Sequence, residues 1–401
     1  MSPGTAVFAA RARALSASGL WVPPRCICKP PSHLPAHLPP LKVRMFHTSA
    51  SKFLAVTALA MALSGPAFAA GDVRFTATEA YPEGIAWSTS QNSFFVSSIR
   101  RGVIGKVTLN GHYTPFIRDD KLVSTAGLKF DAPRNLVWAA VGDVGNSMRS
   151  IPATQGKLAA LAAYDATTGE RRAYHDLGGL VEGRHFANDL ALDAQGQVYV
   201  TDSFSPVIYR LDAQGRVSLF VRSEWFAGEG FNLNGIVWHP DGYLLVNKHN
   251  SGELFRISTT GAPDVQRVAL PEALKGADGL LLLAANRLAL VQNSGADRVV
   301  ELVSSDGWKS ATIASAHKTS GSFPTAAARV GERYYVLNSR LDTLMSKDAT
   351  KISEYVLQEL LPHDALPVTT TDAQSDLLIA DTRPRLGLSG TVGHHWHPSS
   401  Y

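Results

Sequence analysis

The chain has 401 residues with 38 Lys or Arg against 34 Asp or Glu, a formal net charge of +4. Seven of the basic residues and no acidic residue lie in the first 69, so the rest of the chain carries 31 basic against 34 acidic side chains. The basic excess therefore belongs to this leader, and a surface for nucleic acid is not expected. Both cysteines, Cys26 and Cys28, also lie there. After residue 69 the sequence excludes disulfides, cysteine-ligated metals and thiol nucleophiles.

Residues 45–69 are typical of a secretory signal peptide. A basic residue precedes an apolar run at 53–63, and Ala67-Phe68-Ala69 supplies the small residues of a cleavage site. The run is too short to span a bilayer as a helix, so we expect a periplasmic or secreted protein without stable membrane insertion. Residues 1–44 are Pro-rich and lack periodicity. We expect them to be a non-native or disordered extension before a true start at Met45, with a transit peptide as the alternative.

A repeated pattern organises residues 71–360. Six segments combine a small or polar residue, an alternating apolar strand and a D-x-x-G-like turn, and they begin PEGIAW (82–87), TAGLKF (125–130), ANDLAL (187–192), LNGIVW (233–238), ADGLLL (277–282) and PTAAAR (324–329). Their equivalent anchor positions, at intervals of 43, 62, 46, 44 and 47 residues, are Glu83, Ala126, Asn188, Asn234, Asp278 and Thr325. Such periods are typical of propeller blades. We predict an all-β fold, a six-bladed β-propeller of four-stranded antiparallel blades.

Segments outside the anchors carry further predictions, on ring closure, one loop, the C-terminal tail and three tryptophans. The strand-like ends at 73–78 and 351–359 are predicted to pair and close the ring, which leaves no free edge and favours a monomer. The long second interval contains an aperiodic insertion at 143–158, which we predict to be a surface loop. Residues 361–401 turn polar and Pro/Gly-rich and are predicted to be disordered. Three tryptophans of first strands are predicted to lie between blades: Trp87, Trp138 and Trp238.

The anchor positions predict a metal site, because the first strand of every blade lines the central channel of a propeller. Four anchors offer oxygen ligands that would meet at one point: Glu83, Asn188, Asn234 and Asp278. Two carboxylates and two amides suit Ca²⁺ best, with Mg²⁺, Mn²⁺ or Zn²⁺ as alternatives. Each residue alone is also an ordinary turn former. Their common phase in four repeats favours a shared metal site over four separate turns.

The motifs PEGIAW, ANDLALDAQGQVYVTD, NLNGIVWHPDG and GADGL resemble those of the senescence-marker-protein/gluconolactonase family, regucalcin-like six-bladed propellers of TolB-like type. The resemblance covers roughly residues 75–360. It implies that Glu83, Asn234 and Asp278 bind the divalent ion and that Asn188 assists the metal or the substrate. It also implies metal-assisted hydrolysis of a small lactone or ester, with Asp278 as general base or nucleophile.

The segment before Asn188 departs from the family pattern. Sugar-lactone hydrolases usually carry an Arg two residues earlier, where this chain has Phe186, with Arg184 and His185 nearby. We therefore expect Phe186 to contact a more apolar substrate. The sequence favours His185 as a residue at the start of a strand with a hydrogen-bonded ring, and the alternative is an acid/base contact with substrate at the channel mouth. Two polar residues at the ends of second strands are predicted to be turn residues away from the channel: His249 and Asn293.

Two other functions remain open at this stage. The stretch YVTDSFSPVIYRLD (199–212) is close to the blade pattern of NHL-repeat proteins, which favours a non-catalytic binding module with at most a structural metal. A strictosidine-synthase-like propeller with a lyase or condensing role would not need Glu83, Asn234 and Asp278 together. Alanine at Asp278 separates an enzyme from a scaffold, because only the enzyme would lose turnover.

Overall fold

The computed structural model of the chain describes residues 71–362, which form six four-stranded antiparallel sheets. The first strands of neighbouring sheets contact one another in a closed cycle, so the sheets are the blades of a six-bladed propeller. The fold predicted from the sequence is confirmed. The predicted signal peptide at 45–69, the extension at 1–44 and the tail from residue 363 onward lie outside the described residues.

The strands follow one another blade by blade after an initial strand, β1 (Val73–Thr76). Blade one contains β2 (Ile85–Ser88), β3 (Ser93–Val96), β4 (Val103–Thr108) and β5 (Tyr113–Arg118). Blade two contains β6 (Ser124–Asp131), β7 (Leu136–Gly142), β8 (Ala159–Asp165) and β9 (Arg171–Asp176). Blade three contains β10 (Ala187–Leu192), β11 (Val198–Asp202), β12 (Val207–Leu211) and β13 (Val217–Arg222). Blade four contains β14 (Leu233–His239), β15 (Tyr243–Lys248), β16 (Glu253–Ser258) and β17 (Val265–Arg267). Blade five contains β18 (Ala277–Ala284), β19 (Arg287–Gln292), β20 (Arg298–Val303) and β21 (Thr312–Lys318).

Blade six joins the two ends of the described chain. It contains β22 (Pro324–Val330), β23 (Arg333–Asn338), β24 (Glu354–Leu360) and β1, in the order β1-β24-β23-β22. The pairing of β1 with β24, with Val73 opposite Leu357, confirms the predicted closure. A short helix, α1 (Leu341–Met345), lies between β23 and β24. Among residues 71–362 there is no helix with the length and apolar character needed to cross a bilayer.

The hydrophobic core is divided among the interfaces between blades. Six clusters of buried apolar side chains each join two neighbouring blades, as Phe95 and Ala139 do for blades one and two. Both faces of a blade are therefore apolar, and each blade buries them against its neighbours. Trp138 is buried at one interface, and Trp87 and Trp238 pack against the clusters at two others, as predicted. Trp138, however, lies on the second strand of its blade, β7, and not on a first strand.

Five of the six innermost strands carry a one-residue bulge at the same position. In β14, Asn234 and Gly235 lie between two paired residues, Leu233 and Ile236, and the neighbouring strand has one residue fewer over this stretch. The same irregularity occurs at the anchors of β6, β10, β18 and β22. A bulge breaks the alternation of side chains and re-aims the residue that it contains. It is the local feature that sets the direction of the anchor side chain in these five blades.

Polar side chains of the second strands bond the backbone groups that the bulges release. The amide of Gly235 donates to Asn247 Oδ1 at 3.0 Å, and Asn247 Nδ2 donates to the carbonyl of Asp278 in the next blade. In blade three the amide of Asp189 donates to Thr201 Oγ1 at 3.1 Å. Because a buried backbone group without a partner is costly, these side chains stabilise the bulged conformation.

The residue after the anchor is glycine in four blades, and space explains why. A Cβ atom at Gly279 would lie 2.4 Å from the carbonyl oxygen of Thr325 and 2.9 Å from the Cα of Ala326, both in the backbone of the next blade. A Cβ at Gly235 would lie 2.2 Å from the carbonyl oxygen of Asp278. The innermost strands can approach this closely only where they carry no side chain. The two other positions are Gly84 and Gly127.

We expect Gly279→Ala to lower the free energy of unfolding by about 1–3 kcal/mol, the usual cost of overpacking against atoms that cannot move aside. The matched control is Gly179→Ala, where the nearest atom to the new Cβ is the exposed carboxylate Oδ2 of Asp176 at 3.2 Å. The control should change stability by less than about 0.5 kcal/mol. Denaturant unfolding of both variants measures the difference, and equal midpoints would contradict the packing argument.

Candidate metal centre

The four predicted ligand residues lie together on the floor of one cavity of about 300 Å³. Asn188, Asn234 and Asp278 occupy the bulges of β10, β14 and β18, and Glu83 lies two residues before β2. All four side chains are buried. The remaining two anchors are not suited to ligation. Ala126 has no donor atom, and Thr325 Oγ1 donates a hydrogen bond to the carbonyl of Glu83 at 2.7 Å.

Each of the four residues has one buried oxygen without a hydrogen-bond partner in the described part of the chain: Glu83 Oε2, Asn188 Oδ1, Asn234 Oδ1 and Asp278 Oδ1. For Asn188 the cause is visible, because its Nδ2 donates to Ser203 Oγ at 2.8 Å and commits the amide to that orientation. A buried polar atom without a partner costs about 1–3 kcal/mol. Four such oxygens at one place have the chemistry of a site for a hard divalent cation.

The electrostatics of the centre favour a cation as well. Burial raises the pKa of Glu83 well above its ordinary value, and the nearby negative charges of Asp278 and Asp189 raise it further. Burial, followed by the charge of Asp189, likewise raises the pKa of Asp278 well above normal. Two buried carboxylates therefore repel one another in the apo protein. A dication would neutralise both of them and supply the partner that their oxygens lack.

A third carboxylate, Asp189, lies next to the centre but already has its own partner. Its Oδ1 is 3.1 Å from Lys129 Nζ, and its Oδ2 accepts from the amide of Ile236 at 3.3 Å. The pair borders a narrow space on the axis that Glu83 and Asp278 also line. Within residues 71–362 no group of three or more His, Cys, Asp or Glu side chains is placed to hold a metal ion. The candidate centre has two carboxylates, so the amide oxygens of Asn188 and Asn234 are needed to complete its set of ligands.

The wall of the cavity is mainly apolar. Phe186 lies in it, and its ring centroid is 5.8 Å from that of Phe231 and 5.9 Å from that of Phe204. A contact between Phe186 and substrate stays a prediction, with the side chain in a position to make it. The apolar residues of the wall are Ile99, Val144, Phe186, Phe231, Phe323, Leu341 and Met345.

The insertion at 143–158, predicted to be a surface loop, also forms part of the cavity wall. It forms no strand, as expected, but Val144 and Asn146 contribute to the cavity wall. Buried Asp143 holds the loop in place, because its carboxylate accepts hydrogen bonds from the amide of Gly145 and from two hydroxyl groups of the loop. The loop is thus a fixed part of the cavity.

His185 does not line the cavity, so the described residues do not support its alternative role as a substrate contact. Its ring is buried, with Nδ1 2.8 Å from Asp202 Oδ2 and Nε2 2.8 Å from the carbonyl of Val181. The hydrogen bond with Asp202 raises the pKa of His185. Asp202 Oδ1 also accepts from the amide of Phe186 at 3.0 Å. His185 and Asp202 therefore hold the start of β10, which is the role that the sequence favours for this histidine.

His249 and Asn293 follow the ends of second strands as predicted, and His249 lies in a turn, but the prediction that they lie away from the channel is wrong. Both line the cavity. Asn293 Nδ2 donates to Asp278 Oδ2 at 2.5 Å, and Asn293 Oδ1 is 3.0 Å from His249 Nε2. Asn293 therefore links the candidate ligand Asp278 to a histidine on the cavity wall. Burial lowers the pKa of His249, opposed by its hydrogen bond with Asn293.

The register of the blades explains this placement and provides a signal that the sequence contains. Lys248 pairs with Leu233, and Gln292 pairs with Ala277. The residue after each second strand must therefore lie at the rim beside the residue that precedes an anchor. The equivalent residue in blade one, Ile99, also lines the cavity. The ends of second strands opposite the anchors are therefore positions from which a side chain reaches the cavity.

Comparison with known proteins supports the fold. No protein-family model and no curated protein sequence matches the chain. Among solved structures, the Malassezia sympodialis allergen Mala s 1 is 18% identical, with a TM-score of 0.60 over 72% of this chain and 95% of its own. A luciferin-regenerating enzyme is 13% identical, with a TM-score of 0.52 over 72% and 95%. A protein described as a gluconolactonase on provisional grounds is 15% identical, with a TM-score of 0.50 over 73% and 94%. At these identities the likeness shows the fold alone, in agreement with the propeller predicted from the sequence.

We expect Glu83→Gln to stabilise the metal-free protein at pH 8, because it removes one of two repelling buried charges. The folded-state pKa of Glu83 is raised. Its contribution to stability is therefore complete at low pH and is lost as the pH rises through that pKa. The melting temperature of chelator-treated wild type should fall between about pH 5 and pH 8, and the variant should fall less.

The control is Glu182→Gln at an exposed glutamate, which should follow the wild type at every pH. Calcium added at pH 8 should raise the melting temperature of the wild type and of the control, but not that of Glu83→Gln. Parallel pH profiles for all three proteins would show that Glu83 is not in a repelling pair.

Proposed function

We propose that this chain is an exported, metal-dependent hydrolase of the lactonase or esterase type that acts as a monomer on a predominantly apolar small molecule. The observation that carries the proposal is the set of four unpartnered oxygens on the floor of an apolar cavity. The likeness to propellers named as a gluconolactonase and a luciferin-regenerating enzyme adds support at the level of fold. Export rests on the signal-peptide pattern at 45–69.

The residues that would hold the cation are Glu83, Asn188, Asn234 and Asp278, and Ca²⁺ is the ion that their oxygens suit best. When bound, a divalent cation supplies Lewis acidity, which polarises a carbonyl or phosphoryl oxygen and stabilises the negative charge that develops there. Phe186 and Phe231 would orient the acyl portion of the substrate and exclude bulk water from the centre.

Two residues at the centre are candidates for accepting a proton, Asp278 and His249. The Asn293 amide donates from its Nδ2 to Asp278 and turns its Oδ1 toward His249. The neutral ring of His249 must then carry its proton on Nε2, which leaves a lone pair on Nδ1. Because burial lowers its pKa, His249 is neutral near pH 7 and suited to act as a base. Asp278 retains the role implied by the family resemblance, with one oxygen held by Asn293.

We expect Asp278→Ala to abolish saturable calcium binding and to lower ester hydrolysis by at least about 100-fold, since it removes a ligand and a candidate base. Isothermal titration calorimetry and a panel of aryl esters, apolar lactones, phosphotriesters and a sugar lactone measure both effects. Apolar lactones should be better substrates than the sugar lactone.

The matched control is Asp120→Ala at an exposed aspartate, which should retain binding and turnover. If the wild type binds none of Ca²⁺, Mg²⁺, Mn²⁺ and Zn²⁺, the metal-dependent proposal fails. Calcium binding without turnover of any compound would instead favour the non-catalytic binding module with a structural metal.

We expect His249→Gln to lower kcat by about 10²- to 10⁴-fold if His249 is the base, as is usual for loss of such a group. The wild-type kcat/KM should decline on the acid side below the ordinary histidine pKa of about 6.5, because the pKa of His249 is lowered. The variant should lose this acid limb. His175→Gln, at a half-buried histidine on β9, is the control. An unchanged limb in His249→Gln would assign the proton transfer to Asp278.

A further inference from the structure

A second, outer cavity of about 510 Å³ adjoins the first. Four residues line both cavities: Val144, Asn146, Phe231 and Met345. The outer cavity is completed by Gln155, Gly156, Arg184 and Phe204. Because the two spaces share walls, a single elongated molecule can occupy both, with one end near the candidate metal centre and the other near Arg184.

The charges of the two cavities are unevenly placed. Among their lining residues, formal charges are carried by Glu83 and Asp278 on the floor of the inner cavity and by Arg184 in the outer one. A dication would balance the two carboxylates. Arg184 is exposed, and no carboxylate of the described residues lies within 4.0 Å of its guanidinium. It is the uncompensated charge of the combined cavity and is available to a ligand.

The surroundings of Arg184 hold it in a defined position. Its guanidinium carbon lies 4.6 Å from the ring centroid of Phe204, and that ring is 5.1 Å from the ring of Phe231. The carbonyl of Arg184 accepts a hydrogen bond from Ser205 Oγ at 2.8 Å. The next residue is His185, whose buried ring is fixed by Asp202. A guanidinium stacked on an aromatic face keeps its N–H edge free for bidentate binding of an anion.

We propose that Arg184 binds an anionic group of the substrate, which defines the substrate class as amphiphilic esters or lactones that carry a carboxylate. The bond to be cleaved lies near the axis, the apolar body lies against Phe186 and Phe231, and the carboxylate lies at Arg184. This inference rests on the proposed hydrolase function and deepens it. Arg184 is a specificity-determining residue, since it lies in the outer cavity, away from the four candidate ligands.

The test uses matched pairs of p-nitrophenyl esters of dicarboxylic acids, from succinate to sebacate, with the far carboxyl either free or capped as a methyl ester. The wild type should prefer the free acid in kcat/KM by about 10- to 100-fold at the best chain length, the usual gain from charge-assisted hydrogen bonds. In Arg184→Gln this ratio should fall to about one, whereas Arg184→Lys should retain part of it.

The matched control is Arg118→Gln, which removes the same charge at an exposed arginine outside both cavities and should keep the wild-type ratio. An equal ratio in the wild type and in Arg184→Gln would overturn the inference while leaving the hydrolase proposal intact. If no ester is cleaved, the hydrolase proposal fails, and binding decides the role of Arg184. Suberate should then bind the wild type at least about 10-fold more tightly than Arg184→Gln in calorimetry, and equal binding would overturn the inference.

Discussion

The chemistry at the axis depends on a one-residue bulge that five innermost strands repeat at the same phase. In a regular strand the residues near the anchor would alternate between the two blade faces, which are already filled by the core between blades. The bulge releases one residue per strand from this alternation and aims it at the axis. Asn247 and Thr201 bond the backbone groups that it frees, and glycines such as Gly279 let the bulged backbones approach. Blade packing and site geometry are therefore set by the same few residues.

The candidate metal centre contains buried polar groups that destabilise the metal-free protein. Glu83 and Asp278 are buried within one another's field, and four oxygens lack partners among the described residues. Such a cluster costs free energy in the apo protein, and the six apolar interfaces between blades offset that cost. Asp189 shows the contrast, because its carboxylate lies close by and is paired with Lys129. Asp189 therefore has an ion-pair partner within the fold, whereas Glu83 and Asp278 each keep an oxygen without a partner among the described residues.

The cavity above this centre is built from the rim of the propeller. Ends of second strands supply His249 and Asn293, the start of β10 supplies Phe186, and the 143–158 insertion completes the wall. These segments belong to different blades and carry different chemistry. Substitutions in them can therefore change which ligand the cavity accepts without changing the anchor residues. The apolar wall and the outer arginine, Arg184, are the features on which the proposed elongated substrate with unlike ends rests.

The sequence alone determined the blade count, the order of the strands and the identity of the anchors, because repeat spacing, strand alternation and turn residues are local properties that recur along the chain. Glu83, Asn188, Asn234 and Asp278 could be selected since equivalent positions of a propeller must meet at its axis. Only the tertiary structure decided how residues outside the repeat phase are placed. His249 and Asn293 reach the cavity because antiparallel register places them beside the residues that precede the anchors, and that pairing becomes visible only once the strand bounds are known. His185 is withdrawn from it because Asp202, which is 17 residues away, holds its ring.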